Sequence, residues 1–313
     1  MTTAVYDPHE SPADTDVMTR SRGLWTQALA RVVRQPGTMV AVAVLAALLL
    51  IGAFAPQIAP QGWSSLNLAA QWQNHPPIRS GWHLLGTDNI GRDTLVRVLY
   101  GLHTTEQAAL LAAACATVLG VMIGGIAGAR GGWFDVIVMR VCDLITAFPA
   151  LLLLYAAYVF LEPVTIWTAT TILTLYLWAP VAKALRPHLV VLQGAEFVAA
   201  ARALGASPAR VFFRHLLPNA AGAIIVAATA LVGQVIMLEA TVEFFGLGVS
   251  SEIKPSLGNL LGDAASSGIG SYNQLGLGWW VWAAPAVVLV ALIVCFNVIG
   301  DGLDRALNPN MAR

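Results

Sequence analysis

Two acids one helical turn apart are the first candidates for chemistry in this sequence. Glu239 and Glu243 stand near the end of an apolar stretch, and a helix would place both on one face. They could form an anionic patch for an amino group or a cation, or they could lie at a helix end that faces water. A third acid, Asp143, follows Arg140 by three residues, which allows a helical ion pair. If these stretches cross a bilayer, an acid at its centre costs on the order of 3 kcal/mol. We therefore keep all three acids as candidate residues of a substrate path, and favour a structural ion pair for Asp143.

The sequence lacks the motifs of the common hydrolytic enzymes. A phosphate-binding loop of the form G-x-x-x-x-G-K-[ST] needs a lysine after glycine, and neither Lys183 nor Lys254 has one. The six histidines form no H-E-x-x-H motif, and no G-x-S-x-G motif is present. The three cysteines have neither metal-type spacing nor a disulfide pattern. We therefore expect no catalytic residues, no metal site and no cofactor bound by this chain.

The composition indicates that the chain is dissolved in lipid. Hydrophobic residues make up 57% and charged residues 11%, and the mean hydropathy is +0.70, whereas a soluble domain is about a quarter charged. The basic and acidic residues number 17 each, so the net charge is zero and nothing indicates nucleic-acid binding. Segments close to the length that crosses a bilayer predict an all-α integral membrane protein with six transmembrane helices. They cover residues 38–55, 105–127, 136–161, 164–182, 220–242 and 279–299.

The basic residues predict the orientation of these helices, because cytoplasmic loops are enriched in Lys and Arg. With a cytoplasmic amino terminus, 13 of the 17 basic residues fall on the inner side. The outer four are Arg79, Arg92, Arg97 and Lys254. Both termini are thus predicted to be cytoplasmic, with residues 1–37 and 303–313 as tails. Tryptophans 279, 280 and 282 would lie at the outer interface.

Two further patterns concern packing and the outer loop. Gly120, Gly124 and Gly128 recur at four-residue spacing in the second span, which favours close packing of helices over a pore lining. The external loop, residues 56–104, contains an amphipathic stretch from Leu95 to Leu102. Thr87 and Asp88 could cap this helix, which would lie against the outer membrane surface or a partner subunit.

The longest predicted cytoplasmic loop, residues 183–219, reads as two short helices joined by a tight turn. Residues 196–204 are rich in alanine, and Gly205 suits the end of a helix. Ser207 can cap a second helix with Pro208 in its first turn, and Pro218 would end that helix. The hairpin would expose two phenylalanines, 212 and 213, together with several arginines. It could dock another protein or lie on the anionic inner leaflet.

This loop resembles the EAA motif of the permeases of binding-protein-dependent ABC importers, which has the form E-A-A, three residues, Gly, nine residues, I-x-L-P. The matches in register are Ala200, Ala201, Gly205, Leu217 and Pro218. Ala199 replaces the usual Glu and His215 the usual Ile, while Glu196 lies one turn upstream of the motif. Other segments are similar to the C-type subunits of dipeptide, oligopeptide and nickel permeases. They are residues 84–101, 131–149, 243–249, 255–261 and 296–309.

The resemblance implies a type I ABC importer permease fold with a five-helix core at residues 105–302. It implies that the hairpin couples the spans to a separate ATPase through nine residues. They are Ala200, Ala201, Arg202, Gly205, Ala206, Ser207, Pro208, Arg210 and Pro218. The implied location is the bacterial cytoplasmic membrane, where the chain contacts lipid. The implied partners are a second homologous permease, two cytosolic ATP-binding subunits that hold ATP and Mg²⁺, and an extracytoplasmic substrate-binding protein.

Peptides are the expected cargo, and nickel or another small solute is the alternative. A self-sufficient secondary transporter would usually show internal repeats, and we find no convincing one. A membrane enzyme is disfavoured by the missing catalytic motifs.

Overall fold

The computed structural model describes residues 24–59, 83–88, 91–161, 164–248, 255–266 and 278–307. The described residues form helices and no strands, apart from one isolated bridge between Thr87 and Asp93. The first six helices are α1 Leu24–Val33, α2 Pro36–Ala53, α3 Ala55–Ile58, α4 Thr94–Arg130, α5 Gly132–Ala147 and α6 Ala150–Phe160. The others are α7 Ile166–Gln193, α8 Glu196–Ala203, α9 Pro208–Val211, a π-helical segment Phe212–Leu216, α10 Leu217–Phe244, α11 Leu257–Ser266 and α12 Trp279–Leu307.

Four helices in the described part of the chain are long and apolar enough to cross a membrane. They are α2, α4, α12 and the continuous helix Pro208–Phe244. The pair α5 and α6 forms a fifth candidate, but it is bent by 86°. The predicted span 136–161 is therefore not one straight helix, and its crossing of the membrane stays a prediction. Phe148 has extended backbone angles because it precedes Pro149, and a residue before proline avoids the helical region.

The fourth predicted span, residues 164–182, coincides with the first part of α7, apart from its first two residues. This helix has 28 residues but contains four threonines in its first half and a lysine and an arginine in its second, which lowers its hydropathy. It packs against α4, α5, α6 and α10, so most of its first half is buried by protein. The count of six spans stays a prediction.

Helix α4 corrects the prediction for the outer loop. The amphipathic stretch predicted as a separate surface helix is the beginning of α4, which runs without a break for 37 residues, about 55 Å. Its cap is Asp93, whose side chain accepts a hydrogen bond from the amide of Val96, instead of Thr87 or Asp88. Two parts of the predicted loop, residues 60–82 and 89–90, lie outside the described residues, as do Arg79, Lys254 and the ends of both tails.

The glycine stripe of α4 packs against α7 at the centre of the bundle, as predicted. A Cβ atom on Gly120 would lie 2.6 Å from Cβ of Val181, and one on Gly124 would lie 2.6 Å from Cα of Ala182. Real Cβ atoms do not approach this closely, so the two helices touch only because both positions are glycine.

The described ends of the chain meet at one end of the bundle. The predicted amino-terminal tail contains α1, where the Arg31 side chain donates to the carbonyl oxygen of Ala306 at 2.9 Å. Thr38 is buried against Gly302, which leaves no room for a side chain there. Leu307, the last residue of α12, reaches Gly222 near the predicted cytoplasmic loop. We call this the hairpin end of the bundle.

The opposite end is closed by α11, which packs on α4, α10 and α12. The Leu257 amide donates to the hydroxyl of Thr105 on α4 at 3.2 Å. Arg97 is buried and donates to Asp88 at 3.0 Å and to Asp263 of α11 at 2.8 Å. The three tryptophans predicted at the outer interface differ in exposure. Trp280 is buried and its indole donates to the Thr87 carbonyl oxygen, whereas Trp279 and Trp282 are exposed.

Candidate functional site

The hairpin of residues 196–216 is built around a left-handed glycine. Helix α8 ends with two backbone hydrogen bonds, from the amide of Ala206 to Ala201 O and from that of Gly205 to Arg202 O. This pair of bonds is a Schellman motif, and it requires a residue with positive φ between them. Gly205 supplies a φ of +80° without steric cost. The predicted turn is confirmed.

The second helix of the hairpin begins as predicted. The Ser207 hydroxyl accepts a hydrogen bond from the amide of Arg210 at 3.3 Å, and Pro208 occupies the first helical position. A proline is tolerated there because its missing N–H has no intrahelical partner in any case. The turn between α8 and α9 is therefore capped on both sides, which restricts it to one geometry.

The end of that helix differs from the prediction. Pro218 does not stop it, because residues 212–216 adopt a π-helical turn and the chain continues directly into α10. The Leu217 amide bonds to the carbonyl oxygen of Phe212, five residues back. A π turn widens the helix locally and leaves room for the ring of Pro218. The Asn219 side chain donates a further hydrogen bond to the carbonyl oxygen of His215 at 2.6 Å. The hairpin is thus joined to α10 by continuous helix.

One face of the hairpin forms a small hydrophobic core with the ends of α4 and α7. Its buried residues are Leu189, Val198, Val211, Phe212, Leu216 and Ala220. The prediction that both phenylalanines are exposed is wrong for Phe212, which is 4% exposed and packs against Gly125, where a Cβ would come within 2.9 Å of the ring. Phe213 is 52% exposed. The continuing helix determines that residue 212 lies on the inner face. Two adjacent phenylalanines do not by themselves reveal the direction of that helix, so the sequence could not predict which of them is buried.

The opposite face of the hairpin is open. Among the nine predicted coupling residues, Ala201 is buried and Ala206 is half-buried, while the other seven are exposed. The sequence reasoning overlooked Leu204, which is 88% exposed at the tip of the turn. Its position was the signal that could have identified it, because an apolar residue directly before the glycine that ends a short helix lies at the exposed turn. An apolar tip surrounded by arginines has the composition of a protein contact surface.

The paired acids of α10 do not face water. Glu239 and Glu243 are each 1% exposed, and neither carboxylate oxygen of Glu239 has a hydrogen-bond partner within the described part of the chain. Glu243 reaches the start of α11, where a Cβ on Gly258 would lie 2.7 Å from its Oε2. Glu243 is therefore covered by the start of α11, whereas Glu239 is buried within the bundle.

Asp143 has a different main partner from the one predicted. Lys183 of α7 donates to its Oδ1 at 2.8 Å and also reaches Thr146, whereas Arg140 stands 3.8 Å from the carboxylate. The side chains of Asp143 and Lys183 are 49% and 41% exposed. A second ion pair between the same two helices, Asp135 with Arg186, was not found from the sequence because its partners lie 51 residues apart. No group of residues in the described ranges could hold a metal ion.

Comparison with known proteins identifies the family. Residues 120–313 match the model for the binding-protein-dependent transport system inner membrane component. Residues 23–77 match that for the N-terminal TM domain of oligopeptide transport permease C. The chain is 32% identical to the oligopeptide transport system permease protein OppC of Bacillus subtilis, over 94% of this chain and 92% of that protein.

Two other relatives also match over nearly their whole length. The dipeptide transport system permease protein DppC of Bacillus subtilis is 30% identical, over 97% of this chain and 92% of that protein. The OppC protein of Haemophilus influenzae is 29% identical, over 94% and 91%. With its apolar helices and its capped hairpin, this chain belongs to the family of binding-protein-dependent transport system inner membrane components.

Proposed function

We propose that this chain is a membrane subunit of an ATP-driven importer of di- or oligopeptides. The observation that carries the proposal is the capped hairpin, which is fixed to the bundle on one face and open on the other. Relatives over nearly the whole chain are named as oligopeptide and dipeptide permeases, which supports peptides as the cargo. The chain has no ATP-binding motif, so two separate cytosolic subunits would bind and hydrolyse ATP with Mg²⁺.

The proposed orientation puts the hairpin end in the cytoplasm. Ten of the described basic residues lie toward that end and two toward the other, and cytoplasmic loops are the basic ones. The ten are Arg31, Arg34, Arg130, Arg140, Lys183, Arg186, Arg202, Arg210, Arg214 and Arg305. Both termini would then be cytoplasmic in a bacterial inner membrane. We also take α7 as a membrane span, because neighbouring helices bury most of its first half, including Thr170 and Thr174.

The proposed coupling is mechanical. The ATPase would bind the exposed tip around Leu204 and Ser207. The movement of the ATPase on ATP binding would then displace the hairpin. Because the π segment joins the hairpin to α10 without a loop, a displacement would pass directly into that helix. Phe212 ties the same segment to α4 through Gly125. Two spans would therefore respond together.

The proposed substrate path runs along the face of α5 and α7 that carries Asp143 and Lys183. Charged side chains that are nearly half exposed in an apolar helix pair need water or a polar partner. Two exposed apolar residues of α5, Ile137 and Leu144, are suited to contact with lipid or with the second permease subunit. Glu243 would join the path only when α11 moves, because the start of α11 covers it, and Glu239 would join the path only when the helices that bury it separate. An extracytoplasmic binding protein would deliver the peptide at that end.

The test is reconstitution of the complete transporter in proteoliposomes. The chain would be combined with its second permease subunit, the ATPase subunits and the binding protein encoded with it. We expect ATP-dependent uptake of labelled di- or oligopeptides, and no uptake when the ATPase subunits are omitted. Uptake of nickel without uptake of any peptide would refute the peptide assignment. Uptake that persists without the ATPase subunits would instead indicate a secondary transporter.

A further inference from the structure

A cavity lies between the hairpin and the end of α4. Its volume is about 550 Å³, within the range of ligand-binding sites. The apolar part of its wall is formed by Ile126 of α4 and by Phe213 and Leu216 of the π segment. Two guanidinium groups, those of Arg130 and Arg202, line the same cavity. The cavity therefore combines an apolar wall with two positive charges.

Neither arginine has an acidic partner among the described residues. Other basic residues near this end do, since Arg186 pairs with Asp135 and Lys183 with Asp143. Arg130 only stacks over the ring of Phe134, at 5.7 Å from the ring centre. Two uncompensated guanidinium groups on one cavity favour an anion, and arginine forms paired hydrogen bonds with phosphate oxygens.

The position of the cavity favours a lipid over a soluble anion. Arg130 is the last residue of α4, and Ile126, one turn earlier, belongs to the apolar surface of this membrane-length helix. The wall thus changes from apolar to cationic along the direction in which a bilayer changes from acyl chain to headgroup. The tip of the hairpin, Leu204 and Ser207, does not line the cavity, whereas three of the predicted coupling residues, Arg202, Ala206 and Pro208, do. The proposed contact of the ATPase with the tip therefore leaves the cavity free, although the two surfaces adjoin.

We propose that this cavity binds an anionic phospholipid, with its phosphate on Arg130 and Arg202 and its glycerol and upper acyl chain against Ile126, Phe213 and Leu216. The bound lipid would fill the space between α4 and the hairpin and hold the two together. The proposal requires insertion in a membrane but does not depend on peptides being the cargo.

The experiment compares lipid retention by the complete transporter. Complexes with Arg130→Gln, Arg130→Lys or no substitution would be purified from nanodiscs that contain phosphatidylglycerol and phosphatidylcholine, and retained lipids would be counted by native mass spectrometry. Arg214→Gln is the matched control, because Arg214 is an exposed arginine of the same hairpin that does not line the cavity.

We expect the unsubstituted complex and the Arg214→Gln complex to retain phosphatidylglycerol that the Arg130→Gln complex loses. Arg130→Lys keeps the charge and should retain part of it. Equal retention by Arg130→Gln and the unsubstituted complex would overturn the proposal, and it is also the result expected if the ATPase fills the cavity. Displacement of the lipid by millimolar inorganic phosphate would equally overturn it, because the site would then be one for a soluble anion.

Discussion

Replacement of Gly205 by valine tests whether the hairpin turn couples ATP hydrolysis to transport. A Cβ at this position would meet no atom within 4 Å, so the substitution causes no clash. Its cost comes from the backbone alone, because a φ of +80° is left-handed and costs a non-glycine residue about 1–2 kcal/mol, with β-branched residues at the upper end. A cost of this size lowers the ratio of the native turn to altered turns by a factor of roughly 5–30. The rest of the fold should be unaffected, since Gly205 is exposed.

The assay measures peptide uptake and ATP hydrolysis together in proteoliposomes. We expect Gly205→Val to lower the number of peptides imported per ATP, by up to roughly 30-fold, with normal amounts of assembled transporter. Gly205→Asn is the matched control, because asparagine tolerates the left-handed region and should retain most of the coupling. A valine variant with the coupling ratio of the unsubstituted transporter would refute the reasoning.

Three further predictions concern packing, the α11 end and the substrate path. Gly124→Ala should lower the free energy of unfolding by about 1–3 kcal/mol, because the added methyl group forces α4 and α7 apart. Gly37→Ala is its control and should not lower the free energy of unfolding, because Gly37 has open space around it. Arg97→Gln should lower the free energy of unfolding by about 3 kcal/mol, because the buried carboxylate of Asp88 loses a partner. Lys183→Gln and Asp143→Asn should reduce peptide uptake with little change in thermal stability, since a half-exposed ion pair contributes about 1 kcal/mol or less to stability.

Each of these has a clear contrary result, measured as thermal unfolding in detergent or as uptake in proteoliposomes. An unchanged unfolding temperature for Gly124→Ala would mean that α4 and α7 do not touch at this glycine. Arg92→Gln is the control for Arg97→Gln and should destabilise less, because Asp88 then keeps its hydrogen bond from the more deeply buried arginine. Normal uptake by both ion-pair variants would remove Asp143 and Lys183 from the substrate path.

The hairpin turn was predictable because its geometry is local. A left-handed residue, a cap and a first-turn proline are each fixed by one residue type, and Gly205, Ser207 and Pro208 supply them within four positions. The glycine stripe of α4 was predictable for a similar reason, since small residues at four-residue spacing fall on one face of a helix.

The features that the sequence did not predict depend on contacts between distant segments. Asp143 could not be assigned to Lys183, because helical spacing indicates only partners on the same helix. Pro218 predicts a helix end by its local chemistry, and only a π turn allows the chain to continue. The burial of Glu243 depends on α11, whose position follows from tertiary packing.

The most direct test of the account is a crosslink between the tip of the hairpin and the ATPase. Ser207 is exposed and would be replaced by cysteine in a chain whose three native cysteines are removed. We predict that this cysteine crosslinks to the ATPase subunit in intact cells and is not labelled by a membrane-impermeant maleimide added outside. Labelling from outside, without a crosslink, would contradict the proposed coupling, because no cytosolic ATPase could then reach the hairpin.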